Sequence, residues 1–92
     1  MIDDHVTRET PLGFEIELVD GSTIGTVGDV EHYLRNLSAD QHLKSHWGIA
    51  VRMFRNAMIE PAYLRAATMS FQTALALDGL TLLATAATVK QF

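Results

Sequence analysis

The stretch from Leu43 to Asp78 limits what this chain can fold into more than any other. It reads as two helices joined at a sharp corner, Met58-Ile59-Glu60-Pro61, and it holds most of the large apolar residues. Trp47, Ala50, Val51, Phe54, Ala57 and Met58 form one stripe at helical spacing, while Lys44, Ser45, Arg52, Arg55 and Asn56 fall on the other side. Pro61 suits the first turn of the second helix, where its missing N–H is not needed. That second helix carries two stripes. Leu64, Ala67, Phe71, Ala74, Leu75 and Asp78 make the first. Tyr63, Ala66, Ser70, Thr73 and Leu77 make another, spaced 3-4-3-4 and composed mostly of small residues. Small residues let helix backbones approach, and this spacing is that of a coiled-coil seam. One small core needs only one such stripe. The second is covered either by the chain's own elements or by a second copy.

The preceding residues supply a hairpin and one more helix. Phe14, Ile16 and Leu18 alternate with Glu15 and Glu17, the period of a half-buried strand. Asp20-Gly21 provides a turn, and Ser22 to Thr26 returns as the second strand. A strict two-residue turn puts Ile24 opposite Glu17, on the wrong face. A loop one residue longer puts Ile24 opposite Leu18 and Thr26 opposite Ile16, which keeps the apolar face whole. Thr26-Val27-Gly28-Asp29 is a capping box, followed by Val27, Val30, Tyr33, Leu34 and Leu37 at helical spacing. Ser38-Ala39-Asp40-Gln41 repeats the signature for the next helix. The expected fold is α+β: an N-terminal β-hairpin packed on three α-helices, with a possible short third strand near Leu80-Leu83. Residues 1–13 read as a mobile arm, 14–83 as the single domain, and 84–92 as a frayed tail.

Composition narrows the function classes. Ninety-two residues bound one core, and there is no cysteine to form a disulfide, a thiolate nucleophile or a Cys-based zinc site. The absence of cysteine and of a basic-then-apolar leader points to the cytoplasm. The segment from Ala66 to Val89 carries one charge, but Asp78-Gly79 at its middle argues against a membrane span. Net charge is −4, with −7 in residues 1–40 and +3 in residues 41–92. An acidic chain makes a poor nucleic-acid binder, whereas the two charge halves could pair within the chain or between copies.

The chemistry-bearing residues do not converge. His42 and His46 lie four apart, with Asp40 nearby, and could face one metal ion, but a zinc site needs three or four ligands. Two solvated histidines are the plainer reading. Glu15 and Glu17 share one side of a strand without an apolar pocket to raise a carboxyl pKa. Ser22, Ser38, Ser45 and Ser70 lack a nucleophile elbow. Gly21, Gly25 and Gly28 do not have phosphate-cradle spacing. The expectation is therefore no enzyme, no cofactor and no metal. Arg52 and Arg55 share a helix turn, too small a basic face for DNA, but fit to meet an acidic partner.

The order of these features, with Ala67-Thr68-Met69-Ser70-Phe71, then Ala74 and Asp78-Gly79-Leu80, resembles the small bacterial family catalogued as domain of unknown function 982. The similarity runs from roughly Phe14 to Leu80. Ala67, Phe71, Ala74 and Gly79 match that family's pattern of packing residues. Thr68 stands where Arg is usual and Ser70 where Ala is. Phe54 replaces a frequent Cys, and Leu37-Ser38 lacks the usual Trp-Pro. The resemblance implies a compact α+β cytoplasmic protein and carries no catalytic residue across.

The sequence thus favours an interaction module or homodimer that uses Tyr63, Ala66, Ser70, Thr73 and Leu77, with Arg52 and Arg55 at the rim or on an adjacent face. The alternative is a small-ligand or regulatory domain with an apolar pocket between hairpin and helices, near Tyr33 and Trp47.

Overall fold

The computed structural model describes residues 6–81. The expected tail at 84–92 and the first residues of the expected arm lie outside that range. The fold is α+β. Strands β1 (Pro11–Glu17) and β2 (Thr23–Thr26) form an antiparallel hairpin. Helices α1 (Val27–Arg35), α2 (Ala39–His42), α3 (Ser45–Ile59) and α4 (Leu64–Leu77) follow, with a 3-10 turn at Pro61–Tyr63 between the last two.

The hairpin keeps its apolar face by a different register from the one expected. Ile16 lies opposite Ile24 and Glu17 opposite Thr23. The loop is Val19-Asp20-Gly21, closed by the Gly21 N–H donating to the Leu18 carbonyl at 2.9 Å and the Leu18 N–H to the Ser22 carbonyl at 2.8 Å. Asp20 Oδ1 accepts from both the amide and the hydroxyl of Ser22, at 2.9 and 2.6 Å. Those bonds hold Ser22 in the pairing with Leu18 rather than in the loop. The Ser22 hydroxyl bond also lowers the Asp20 carboxyl pKa. Gly21, at φ 93°, takes the left-handed position that ends a three-residue loop of this kind.

Residues 7–13 belong to the domain, which corrects the expected arm. The first N–H groups of a helix have no partner within it. In α1, Val27 N–H donates to the Thr10 carbonyl at 2.9 Å and Gly28 N–H to the Arg8 carbonyl at 2.8 Å. The capping box adds the expected exchange between Thr26 and Asp29, and Asp29 also accepts from the Gly25 N–H at 2.9 Å. That Gly25 bond is the largest cause of the lowered Asp29 carboxyl pKa. Between Pro11 and Ile16 the β1–β2 register breaks, and the Gly13 N–H turns to Thr68 Oγ1 on α4, at 3.1 Å. A Cβ at Gly13 would lie 2.9 Å from the Arg65 Cα. Only glycine lets β1 pass this close to α4. The Arg65 guanidinium covers the Phe14 ring at 5.4 Å.

The second of the three expected helices, starting from Ser38, is two helices. Ser38 and Gln41 do form a capping box, but the chain turns extended at Lys44 before α3 begins. Trp47 near the start of α3 meets Asp78 at the end of α4, so this pair runs antiparallel. Four alanines with no exposed surface, Ala50, Ala57, Ala67 and Ala74, are buried in this helix pair. Phe71 sits at the centre of the core. Its ring lies 5.6 Å from Trp47, 5.7 Å from Tyr33 and 6.1 Å from Phe54, all edge to face. Met58 does not join this core as its stripe implies; it is 48% exposed.

α4 ends in a Schellman motif. Gly79 takes φ 76°, its N–H donates to the Ala76 carbonyl at 3.0 Å, and the Leu80 N–H reaches the Leu75 carbonyl at 2.8 Å. Beyond it the Val19 N–H donates to the Leu80 carbonyl at 2.9 Å, and the Thr81 hydroxyl donates to the Glu17 carbonyl. One backbone bond does not make a strand, so among the described residues the sheet has two strands. Leu82 and Leu83 of the expected third strand lie outside them.

Candidate interaction surface

α4 presents two very different long faces. Ala67, Thr68, Phe71, Ala74 and Leu75 have no solvent exposure, because α3 and β1 both pack against the helix. Thr68 tolerates burial by donating its hydroxyl to the Leu64 carbonyl at 2.8 Å while accepting the Gly13 N–H. On the adjoining stripe Tyr63, Ala66, Thr73 and Leu77 are exposed and Ser70 is half-buried. Tyr63 is 53% exposed and Leu77 64%. The hydroxyls of Ser70 and Thr73 turn back to the carbonyls of Ala67 and Met69, at 2.8 and 2.9 Å. With those donors used within the helix, the stripe offers a surface of methyl groups, one aromatic ring and one leucine. It contains no charge.

The two arginines expected at the rim of this stripe or on an adjacent face do not share one setting. Arg52 is exposed on α3. Arg55 instead borders a trough between α1 and α3, together with Arg8 and Glu31. The expected pocket near Tyr33 and Trp47 is filled by the rings themselves, which stack on each other at 5.9 Å with Phe71 edge-on to both. Burial pushes the Tyr33 phenol pKa up. An apolar hollow among the described residues lies instead in the α1–α3 trough, which Phe54 lines.

His42 and His46 do not share a helix. The break at Leu43–Lys44 leaves His42 exposed at the end of α2 and His46 in the first turn of α3. His46 is committed elsewhere: its Nε2 lies 2.9 Å from Asp78 Oδ1. Among the described residues no group of three His, Cys, Asp or Glu side chains could hold a metal ion. Glu15 and Glu17 both border a polar hollow of about 510 Å³ beside Gln72 and Thr81.

The densest polar cluster is one the sequence does not announce. The Asp78 side chain is only 7% exposed and gathers four donors. Trp47 Nε1 donates to Oδ2 at 2.7 Å and Gln41 Nε2 to the same oxygen at 3.3 Å. Lys44 Nζ and His46 Nε2 meet Oδ1 at 3.3 and 2.9 Å. The Trp47 bond above all, with those of Gln41, His46 and Lys44, holds the carboxyl pKa far below the ordinary carboxylate range, against the opposing effect of burial. A carboxylate at a helix C-terminus is disfavoured by the helix dipole. The four donors offset this and tie α2 and the start of α3 to the end of α4. The cluster is filled by its own partners and leaves no open position for a substrate. One signal for it was available: a single acid on an apolar stripe, and a single tryptophan whose buried N–H needs an acceptor.

Among the described residues no helix is long and apolar enough to cross a membrane. Compared with protein-family models, with curated proteins and with solved structures, the chain matches none.

Proposed function

We propose that this protein is a non-enzymatic interaction module that pairs with a second copy of itself through the Tyr63–Leu77 stripe of α4. The observation that carries this reading is the exposure of Tyr63, Ala66, Thr73 and Leu77 on a helix whose neighbouring stripe fully buries Ala67, Phe71, Ala74 and Leu75. An uncharged, small-residue stripe suits self-pairing, because two identical faces meet across a two-fold axis without opposing like charges. The 3-4-3-4 spacing supports helix-on-helix packing, and Tyr63 and Leu77 are the anchors at its ends. The overall charge of −4 favours a protein partner over nucleic acid. The resemblance to domain of unknown function 982 is part of the same proposal, as is a cytoplasmic setting. It rests on Ala67, Phe71 and Ala74, which are buried on α4, and on Gly79 in its left-handed cap.

The test is Ala66→Glu. Position 66 is exposed within one chain, so a charge there leaves the fold intact but places two carboxylates face to face in a pair. A folded variant of half the wild-type mass supports the proposal. A variant that unfolds, or one that keeps the wild-type mass, contradicts it.

A further inference from the structure

The trough between α1 and α3 is a separate feature from the α4 stripe. α1 packs chiefly on β2 and α3 chiefly on α4, so the two helices stand apart and leave a hollow of about 400 Å³. Val27, Val30 and Leu34 line it from α1, at positions i, i+3 and i+7. Val51, Phe54 and Met58 line it from α3 at the same spacing. The volume is within the ~300–1,000 Å³ of small-molecule pockets. Val51 and Met58 lie seven positions apart along the helix, roughly 10 Å. That matches an extended chain of about eight carbons at ordinary bond lengths.

Charge at the mouth is unbalanced. Glu31 is engaged on both oxygens: Arg8 Nη1 donates to Oε1, and Arg35 Nη2 donates to Oε2 at 3.1 Å. Across the trough, among the described residues, no carboxylate lies within ion-pair distance of Arg55. Two guanidinium groups, Arg8 and Arg55, thus line the apolar cleft beside one carboxylate, Glu31, which is already paired with Arg8 and with Arg35.

We propose that this trough binds a small amphipathic carboxylate, an unbranched chain of medium length lying along Val30, Val51 and Met58 with its carboxylate at Arg55. The apolar walls would remove the chain from water, and Arg55 would set its direction and exclude cations of the same shape.

The test is calorimetric titration of the full chain with decanoate, below the concentration at which it aggregates. Decyltrimethylammonium, which has the same chain and the opposite charge, is the control. Decanoate should saturate one site and bind at least about fivefold more tightly than the cation. Arg55→Glu, at an exposed position, should weaken decanoate by about five- to tenfold and shift preference towards the cation. Met58→Asp should weaken decanoate by a similar factor, while Ala66→Glu on α4 should bind it as wild type does. Thermal melts of each variant check the fold, and Arg55→Gln replaces Arg55→Glu if that variant fails to fold. Equal binding of the two probes, no saturable binding of decanoate, or a decanoate affinity indifferent to Arg55→Glu or Arg55→Gln would each overturn the proposal.

Discussion

The two stripes of α4 have nearly the same spacing and contain nearly the same kinds of residue, yet they differ completely in surroundings. Ala67, Phe71, Ala74 and Leu75 face α3, the hairpin and the aromatic cluster, and have no exposed surface. Tyr63, Ala66, Thr73 and Leu77 lie around the same cylinder and remain exposed. A helical period counts both as apolar faces. What separates them is tertiary: the four alanines bring α3 against one side, Gly13 brings β1 against another, and a third side is left. The lesson is that small residues at seam spacing do different work on the two faces. On the inner face they close the distance within the chain. On the outer face they are proposed to close it between chains.

The comparison breaks most clearly at Phe71. Truncation to Ala removes the ring that touches Trp47, Tyr33 and Phe54, and should cost ~3–5 kcal/mol of unfolding free energy, read from urea midpoints. In a domain this small that is a large part of the total. Should Phe71→Ala fall short of about 1 kcal/mol, the inner face is not the core it is described as.

Asp78 comes next. Asp78→Ala leaves the buried Trp47 N–H without its acceptor and should cost ~2–4 kcal/mol at neutral pH. The sign of the pH dependence follows from the depressed carboxyl pKa. The unfolded chain binds that proton more tightly than the folded one does. The contribution of Asp78 is therefore complete above the unfolded carboxylate value of about 3.9, and it is lost as pH falls towards the lower folded value. Wild type should lose more stability than Asp78→Ala between about pH 6 and about pH 3. Equal losses would show that the carboxylate is not the group being titrated.

Thr68→Val sharpens the comparison on a smaller scale. It preserves volume but removes the acceptor for the Gly13 N–H, so a loss of ~1–2 kcal/mol is expected, with hydrogen exchange at Gly13 accelerated beyond its neighbours. The smallest effect on stability belongs to the outer face: at concentrations too low for pairing, Thr73→Glu should change the unfolding free energy by no more than ~0.5 kcal/mol, since the side chain is exposed within one chain. Its effect should appear in mass.

Much of this fold was legible in the sequence, for identifiable reasons. Capping boxes at Thr26 and Ser38, the alternation from Phe14 to Leu18 and the corner at Pro61 are local signals, and local contacts settle them. The errors arose where distant contacts decide. Residues 7–13 read as an arm because their partners, the first N–H groups of α1 and the Thr68 hydroxyl, lie far along the chain. The loop register turned on two bonds from Ser22 to Asp20 that no hydropathy pattern encodes. The break at Lys44 coincides with the convergence of Gln41, Lys44 and His46 on Asp78. Met58 has core spacing, but the place beside it is the trough rather than another element. Of the candidate surface, the spacing identified the residues of the Tyr63–Leu77 stripe, but their exposure depends on which sides of α4 the other elements cover. The location of Arg55 was not, because a helical wheel does not show which neighbour a flank faces.

The most direct test of the central claim is absolute mass in solution, by light scattering of wild type and Ala66→Glu across a roughly tenfold range of concentration. Wild type should run at twice the 10.2 kDa chain mass at the upper end of that range, and the variant at the chain mass with unchanged helicity. A wild type that stays at the single-chain mass throughout, or a variant that still doubles, would contradict it.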